Sequence, residues 1–246
     1  MRGKFMDHID VLDAVKRAYL DLRDVYEHLS GLAIMALVLA LAVSAIGFFL
    51  SGLGFALLGQ LVRLAVHIGF GFVTAPYLIA VHRFILLGKV TTRYDLELGD
   101  PRLQRFFGWT IVFALLSAAP AMLSNILPLP GLLRGVLALA LAIAALIVMV
   151  RLIIVLPAVA VDSDRATWRN AMADTAGYAG RILLICLAAA LPVGLAAVIL
   201  SAFSYGFGFL AFVVVLIQGA AGVIIASLLA AIASRLYESV GDRVQA

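Results

Sequence analysis

The stretch Leu132–Pro157, LLRGVLALALAIAALIVMVRLIIVLP, decides how the rest of the chain is read. It holds two arginines, no acid and almost nothing else but aliphatic side chains. About 20 mostly apolar residues suffice for a helix to cross the hydrocarbon core of a bilayer. The segment is therefore a membrane span.

Working outward, the same signature recurs. No Asp or Glu occurs between Glu27 and Asp95, between Asp100 and Asp162, or between Asp174 and Glu238. Of the 246 residues, 65% are hydrophobic and 13% charged, against roughly half and a quarter in a soluble domain. The surplus apolar surface needs lipid as its solvent. Six spans are expected: Gly31–Leu50, Leu64–Leu87, Phe107 to just before Pro128, Leu132–Pro157, Ile182–Phe203, and a sixth that follows the Ser204-Tyr205-Gly206-Phe207-Gly208 turn and ends near Ser234. Gly52–Gln60 reads as an interfacial turn, and Pro128-Leu129-Pro130-Gly131 as a helix breaker. The predicted fold is all-α, a polytopic bundle of three hairpins. Its parts are an N-terminal amphipathic helix (1–30), a six-helix transmembrane domain (31–236) and a short tail (237–246).

Lys and Arg set the expected orientation. Arg2, Lys4, Lys16, Arg17 and Arg23 precede span one, and Lys89, Arg93, Arg102 and Arg105 follow span two. Arg165, Arg169 and Arg181 follow span four, and Arg235 and Arg243 close the chain. The opposite side holds only Arg63 and Arg134. Both termini are thus expected in the cytoplasm. Residues 1–30 lack the apolar segment of a cleavable signal, so span one directs insertion.

Within residues 11–29, Val11, Leu12, Val15, Ala18, Tyr19, Leu22, Val25, Tyr26 and Leu29 recur at helical steps. Asp13, Arg17 and Asp21 fall at pairing distance on the other face. The stripe fits packing on the helix's own bundle, or docking of a partner protein. Its mixed charge argues against anionic lipid as the driving force. A second short helix is expected after span four, capped by Asp162 or Ser163, with Trp168, Met172 and Tyr178 near the interface and Gly177 and Gly180 in the turn that follows. Lone Cys186 can form no internal disulfide and reads as a small apolar residue. Small residues, as in Gly219–Ala226, permit close helix approach, although Gly219 and Gly222 miss the GxxxG spacing by one.

Ionisable residues in or near spans are the best functional pointers in a membrane protein. His82, Arg83, Arg151 and Arg181 lie toward the basic side and form the candidate site for an anion or lipid head group. Snorkelling, or pairing with Asp162, Asp164 or Asp174, accounts for the same residues. Arg63 and Arg134 snorkel on the other side. No acid lies within a span, and no HExxH, GxSxG or GxxxxGK[ST] occurs. The expectation is a protein without catalytic residues, cofactor, metal or nucleic-acid partner.

Two segments carry a family likeness: Tyr77-Leu-Ile-Ala-Val-His-Arg-Phe-Ile-Leu-Leu-Gly88, and Arg151-Leu-Ile-Ile-Val-Leu-Pro-Ala-Val-Ala160 with Thr175-x-Gly177-x-x-x-Arg181 after it. They resemble a loose group of uncharacterised bacterial six-helix membrane proteins, which is similar to the membrane domain attached to some glycerophosphoryl diester phosphodiesterases. Gly180 departs from the bulky residue expected before Arg181. The catalytic phosphodiesterase domain is absent. The resemblance implies a bacterial inner-membrane protein without hydrolase activity. Two function classes stand open: a scaffold, partner-docking or envelope-maintenance protein, and a transporter or lipid-handling protein that recognises an anionic phospholipid head group.

Overall fold

The computed structural model describes residues 10–51, 56–202 and 208–241. They form α1 (Val11–His28), α2 (Ser30–Ser51), α3 (Ala56–Leu87), α4 (Pro101–Ile126), α5 (Gly131–Leu152), α6 (Val155–Ala160), α7 (Trp168–Asp174), α8 (Ala179–Ala202) and α9 (Gly208–Gly241), with no strand among the described residues. Six segments are long and apolar enough to cross a membrane: Ser30–Leu50, Gly59–Leu87, Pro101–Ile126, Gly131–Ala160, Ala179–Ala202 and Gly208–Ser239. The chain is an all-α, multi-pass integral membrane protein.

Several boundaries differ from the sequence reading, each for a local reason. α3 begins at Ala56, so Leu61 and Arg63 lie inside a helix rather than beside a turn; of the expected turn, residues 52–55 lie outside the described residues. α4 starts six residues early because Asp100 caps it, accepting the Arg102 N–H at 2.8 Å, with Pro101 in the first turn. Span four breaks at Ile153–Ile154 into α5 and α6. The cap of the short helix is Thr167, which accepts from Asn170 N–H at 3.3 Å, and not Asp162 or Ser163. α9 continues to Gly241, well past Ser234. Two turns need glycine: Gly88 ends α3 at φ +63° and Gly177 turns the chain toward α8 at φ +84°.

The spans form a ring in the order α2, α3, α4, α5, α8, α9, closing on α2, while α3 and α9 also touch across it. Two hydroxyl-bearing contacts join α3 to α9: Tyr77 to Ser227 at 3.0 Å and His82 to Ser234 at 2.8 Å. α1 lies along α8 and α9 and also reaches α2 and α3. Ala18, Leu22, Val25 and Leu29 from its apolar stripe are buried there, whereas Leu12 is exposed. Asp21, read from sequence as a surface charge, is buried.

Pro76, Pro120 and Pro192 lie inside α3, α4 and α8. A proline lacks the N–H of the helical ladder and crowds the preceding turn. At two of these prolines a tyrosine from outside the spans supplies a donor: Tyr94 O–H to Val73 O, and Tyr19 O–H to Ala189 O at 2.9 Å. Each carbonyl lies three residues before the proline.

Candidate functional site

Arg83 and Arg151, two of the four candidate residues, each reach a backbone carbonyl. Arg83, near the end of α3, donates from Nη1 to Ala160 O at 3.3 Å and lies 3.7 Å from Asp162. Arg151, at the end of α5, donates from Nη2 to Met172 O, while its Nε is buried without a partner. Thr175 ties the same place together, its Oγ1 lying 3.2 Å from Arg151 O and 2.7 Å from Ala171 O. Arg181 is half-buried in the first turn of α8. His82 is fully buried and faces the interior of the bundle. Pairing with acids thus holds for Arg83, and Asp174 pairs with Arg165 at 3.4 Å.

A denser cluster forms around Asp162, just after α6. Arg102 of α4 chelates its carboxylate, with Nε 3.0 Å from both oxygens and Nη2 closing on Oδ2. Arg105 stands 3.8 Å away and Arg83 completes a set of three guanidinium groups on one carboxylate. Such bidentate pairs are among the stronger charged hydrogen bonds. Asp162 adopts a left-handed backbone, φ +57°, which Asp and Asn tolerate better than other non-glycine residues. Arg102 and Arg105 entered the sequence reading only as topology charges. Sequence separations from Asp162 of about 60 residues hid their meeting.

The second feature is a cavity of about 390 Å³ inside the ring, walled by α3, α4, α5, α6, α8 and α9. Phe70, Leu78, Phe113, Met149, Leu183 and Ala226 represent its lining. Leu146 and Leu187 belong to the same lining yet are 39% and 54% exposed. Exposed residues of α5 and α8 thus border the cavity. Two threonines in the wall are already satisfied by their own helices: Thr74 donates to Phe70 O at 2.7 Å and Thr110 to Phe107 O at 2.8 Å. His82 also lines it. Of its ring nitrogens, Nδ1 meets Ser234 Oγ, and Nε2 is buried with no partner. Phe106 covers one side of the ring, its centroid 5.9 Å away.

His82, expected beside Arg83, Arg151 and Arg181, also belongs to the cavity lining. Phe70, Thr74, Thr110 and Phe113 carry no signal in an apolar helix, so the cavity emerges only when six elements are brought together. Among the described residues no three His, Cys, Asp or Glu side chains gather as a metal-binding group. Comparison of the chain with protein-family models, curated proteins and solved structures finds no match.

Proposed function

We propose that this chain is a non-enzymatic lipid-handling protein that admits an apolar chain sideways from the bilayer into the cavity between α5 and α8. The observation that carries the reading is the cavity itself. Its volume lies within the roughly 300–1,000 Å³ of small-molecule sites. Its wall is almost wholly aliphatic and aromatic, and exposed leucines of two membrane-spanning helices border it. An aliphatic chain seated there gains dispersion contacts along such a wall.

Recognition of an anionic head group has weaker support. Arg83, Arg102 and Arg105 already converge on Asp162, and Arg151 is turned to a backbone carbonyl. Orientation follows the charge bias, with the Asp162 cluster and both termini cytoplasmic. With the resemblance noted above, that supports a bacterial inner membrane as the location.

The test is native mass spectrometry of the detergent-purified protein. Wild type is expected to retain bound lipid or alkyl detergent, and Ala190→Phe, which places a ring in the cavity, to lose it. Equal retention by a stably folded Ala190→Phe protein overturns the reading.

Docking of a partner protein is the second reading. It is favoured by a groove of about 710 Å³ between α1 and the end of α9, lined by Asp10, Asp13, Arg17, Asp21, Arg235 and Glu238. A pull-down that loses its partner on Asp13→Lys, Glu238→Lys substitution supports it. Recovery of no partner by either form removes it.

A further inference from the structure

We infer that the cavity holds one acyl chain of a lipid from the leaflet on the basic side of the membrane, with the head group at that surface and the methyl end at mid-bilayer. This rests on the cavity reading above and adds the leaflet, the direction of the chain and the number of chains.

The argument is one of depth. The middle of a span lies near the middle of the bilayer. For Gly131–Ala160 that middle is Ala145 and Leu146, and for Ala179–Ala202 it is Ala190 and Leu191. The cavity lining begins at Leu146 on the first and ends at Ala190 on the second, and Ile153, Leu156 and Leu183 carry it toward the basic ends of both. Phe113 stands at the middle of Pro101–Ile126, and Ala226 lies just on the basic side of the middle of Gly208–Ser239. On α3 the lining passes the middle of Gly59–Leu87, Val73, only as far as Phe70, about 4.5 Å. Five spans thus agree in placing the cavity in one half of the bilayer, cytoplasmic by the charge bias. Along α5 and α6 it runs from Leu146 to Leu156, about 15 Å of helix and half of the ~30 Å hydrocarbon core.

The two ends differ. At the deep end α3 approaches both α4 and α9 closely: a Cβ on Gly71 would lie 3.0 Å from Thr110 Oγ1, and one on Gly222 would lie 3.1 Å from Phe70 Cζ. Thr74 and Thr110 hold their hydroxyl hydrogens on their own backbones. A head group carried there would lose its water without gaining a partner, which is costly. The methyl end of a chain loses nothing. The chain therefore points inward from the surface nearer Leu156 and Leu183. Volume sets the number. A cavity of about 390 Å³ holds roughly fifteen carbon atoms, on the scale at which an apolar cavity of about 150 Å³ binds benzene. One acyl chain meets that and two do not. The walls are within its reach, since Phe70, Phe113, Ile153, Leu156, Leu183 and Ala190 all keep accessible surface.

The experiment uses the whole protein in phosphatidylcholine nanodiscs. The probes are two hexadecanoyl lysophosphatidylcholines, one with a photoreactive diazirine near the methyl end of its chain and one with it near the glycerol. Labelled residues are located by mass spectrometry of proteolytic fragments. The methyl-end diazirine should label Phe70, Phe113 and Ala190 several-fold more than Ile153, Leu156 and Leu183, and the glycerol-end diazirine should invert that ratio. Native mass spectra should show one probe retained per protein. The opposite order, equal labelling of both groups by both probes, or two probes retained overturns the inference and leaves the cavity reading in place. Labelling of neither group removes the cavity reading and this inference together.

Discussion

Arg235 of α9 grips Asp21 of α1 in a two-point ion pair, Nε 2.8 Å from one carboxylate oxygen and Nη2 2.7 Å from the other. The two residues are 214 positions apart, so the pair fastens the first described helix to the last. Its partners are unequal. The Asp21 side chain is 11% exposed, whereas Arg235 is 45% exposed and also reaches Glu238 at 3.0 Å. Removing the arginine strands a shielded charge; removing the acid leaves a cation with water and a second acid. Arg235→Ala should therefore destabilise more than Asp21→Ala. The first should lie near the low end of the roughly 3–5 kcal/mol for breaking a buried pair, the second near 1 kcal/mol. Thermal unfolding of both variants in one detergent checks this. Equal losses would sink the asymmetry.

At Asp162 the expected effect depends on pH. The Arg102 guanidinium beside it, aided by the charges of Arg83 and Arg105, holds its carboxyl below the usual carboxylate range. A carboxyl whose folded value is depressed stabilises the fold above its unfolded value, near pH 4. That stabilisation disappears as pH falls through the lower folded value. Because the side chain is 41% exposed, solvent screening limits the contribution to about 1 kcal/mol. Asp162→Asn isolates the charge, since Asn tolerates the same left-handed backbone. The variant should be less stable than wild type at pH 7, and the gap should narrow as pH falls below about 4. The substitution also frees three guanidinium groups. Retention of anionic phospholipid should then rise in native mass spectra, and no rise would remove these arginines as a latent head-group site.

Legibility in the sequence followed the physics of each feature. The six spans rest on long acid-free apolar runs, a signal that survives errors at the ends, and the span positions held while boundaries moved by several residues. The α4 start shows why: Asp100 and Pro101 are cap signals, but an apolar-run criterion waits until Phe107. Burial of Ala18, Leu22 and Val25 was readable from periodicity. Asp21 was not, because its partner lies on α9 and only tertiary packing brings them together. The candidate site fared likewise. His82 stands out as a polar residue in an apolar run, whereas Leu146, Leu187 and Ala226 look like every other lipid-facing or packing residue around them.

Tyr19 makes a bond whose value depends on a proline. Its hydroxyl donates to Ala189 O, three residues before Pro192 in α8. The proline removes one N–H from the local ladder, and the tyrosine supplies a donor from α1. Tyr19→Phe should cost about 1 kcal/mol, the net worth of one such bond. In a Pro192→Ala background α8 satisfies more of its own carbonyls, and the same substitution should cost less. A double-mutant cycle in thermal stability measures the coupling. An unchanged cost would mean that Tyr19 acts through packing alone.

Gly219 and Gly222 serve different neighbours, which explains why their spacing does not need to match GxxxG. A Cβ on Gly219 would lie 2.5 Å from Ser44 Oγ and 3.2 Å from Ser44 Cβ of α2; one on Gly222 would lie 3.1 Å from Phe70 Cζ of α3. Ser44 has little room to yield, because its hydroxyl is bonded to Ala40 O at 2.9 Å. The Phe70 ring faces the cavity and has space to turn. Gly219→Ala should thus separate α2 from α9 and destabilise by roughly 1–3 kcal/mol, the range for overpacking. Gly222→Ala should do less to stability and more to ligand retention, since it presses Phe70 toward the cavity. Ser44→Ala should recover much of the Gly219→Ala loss by removing the clashing oxygen. Thermal unfolding of the single and paired variants tests both statements: a Gly219→Ala protein as stable as wild type, or one that Ser44→Ala leaves unimproved, would show that α2 and α9 approach less closely than these distances require.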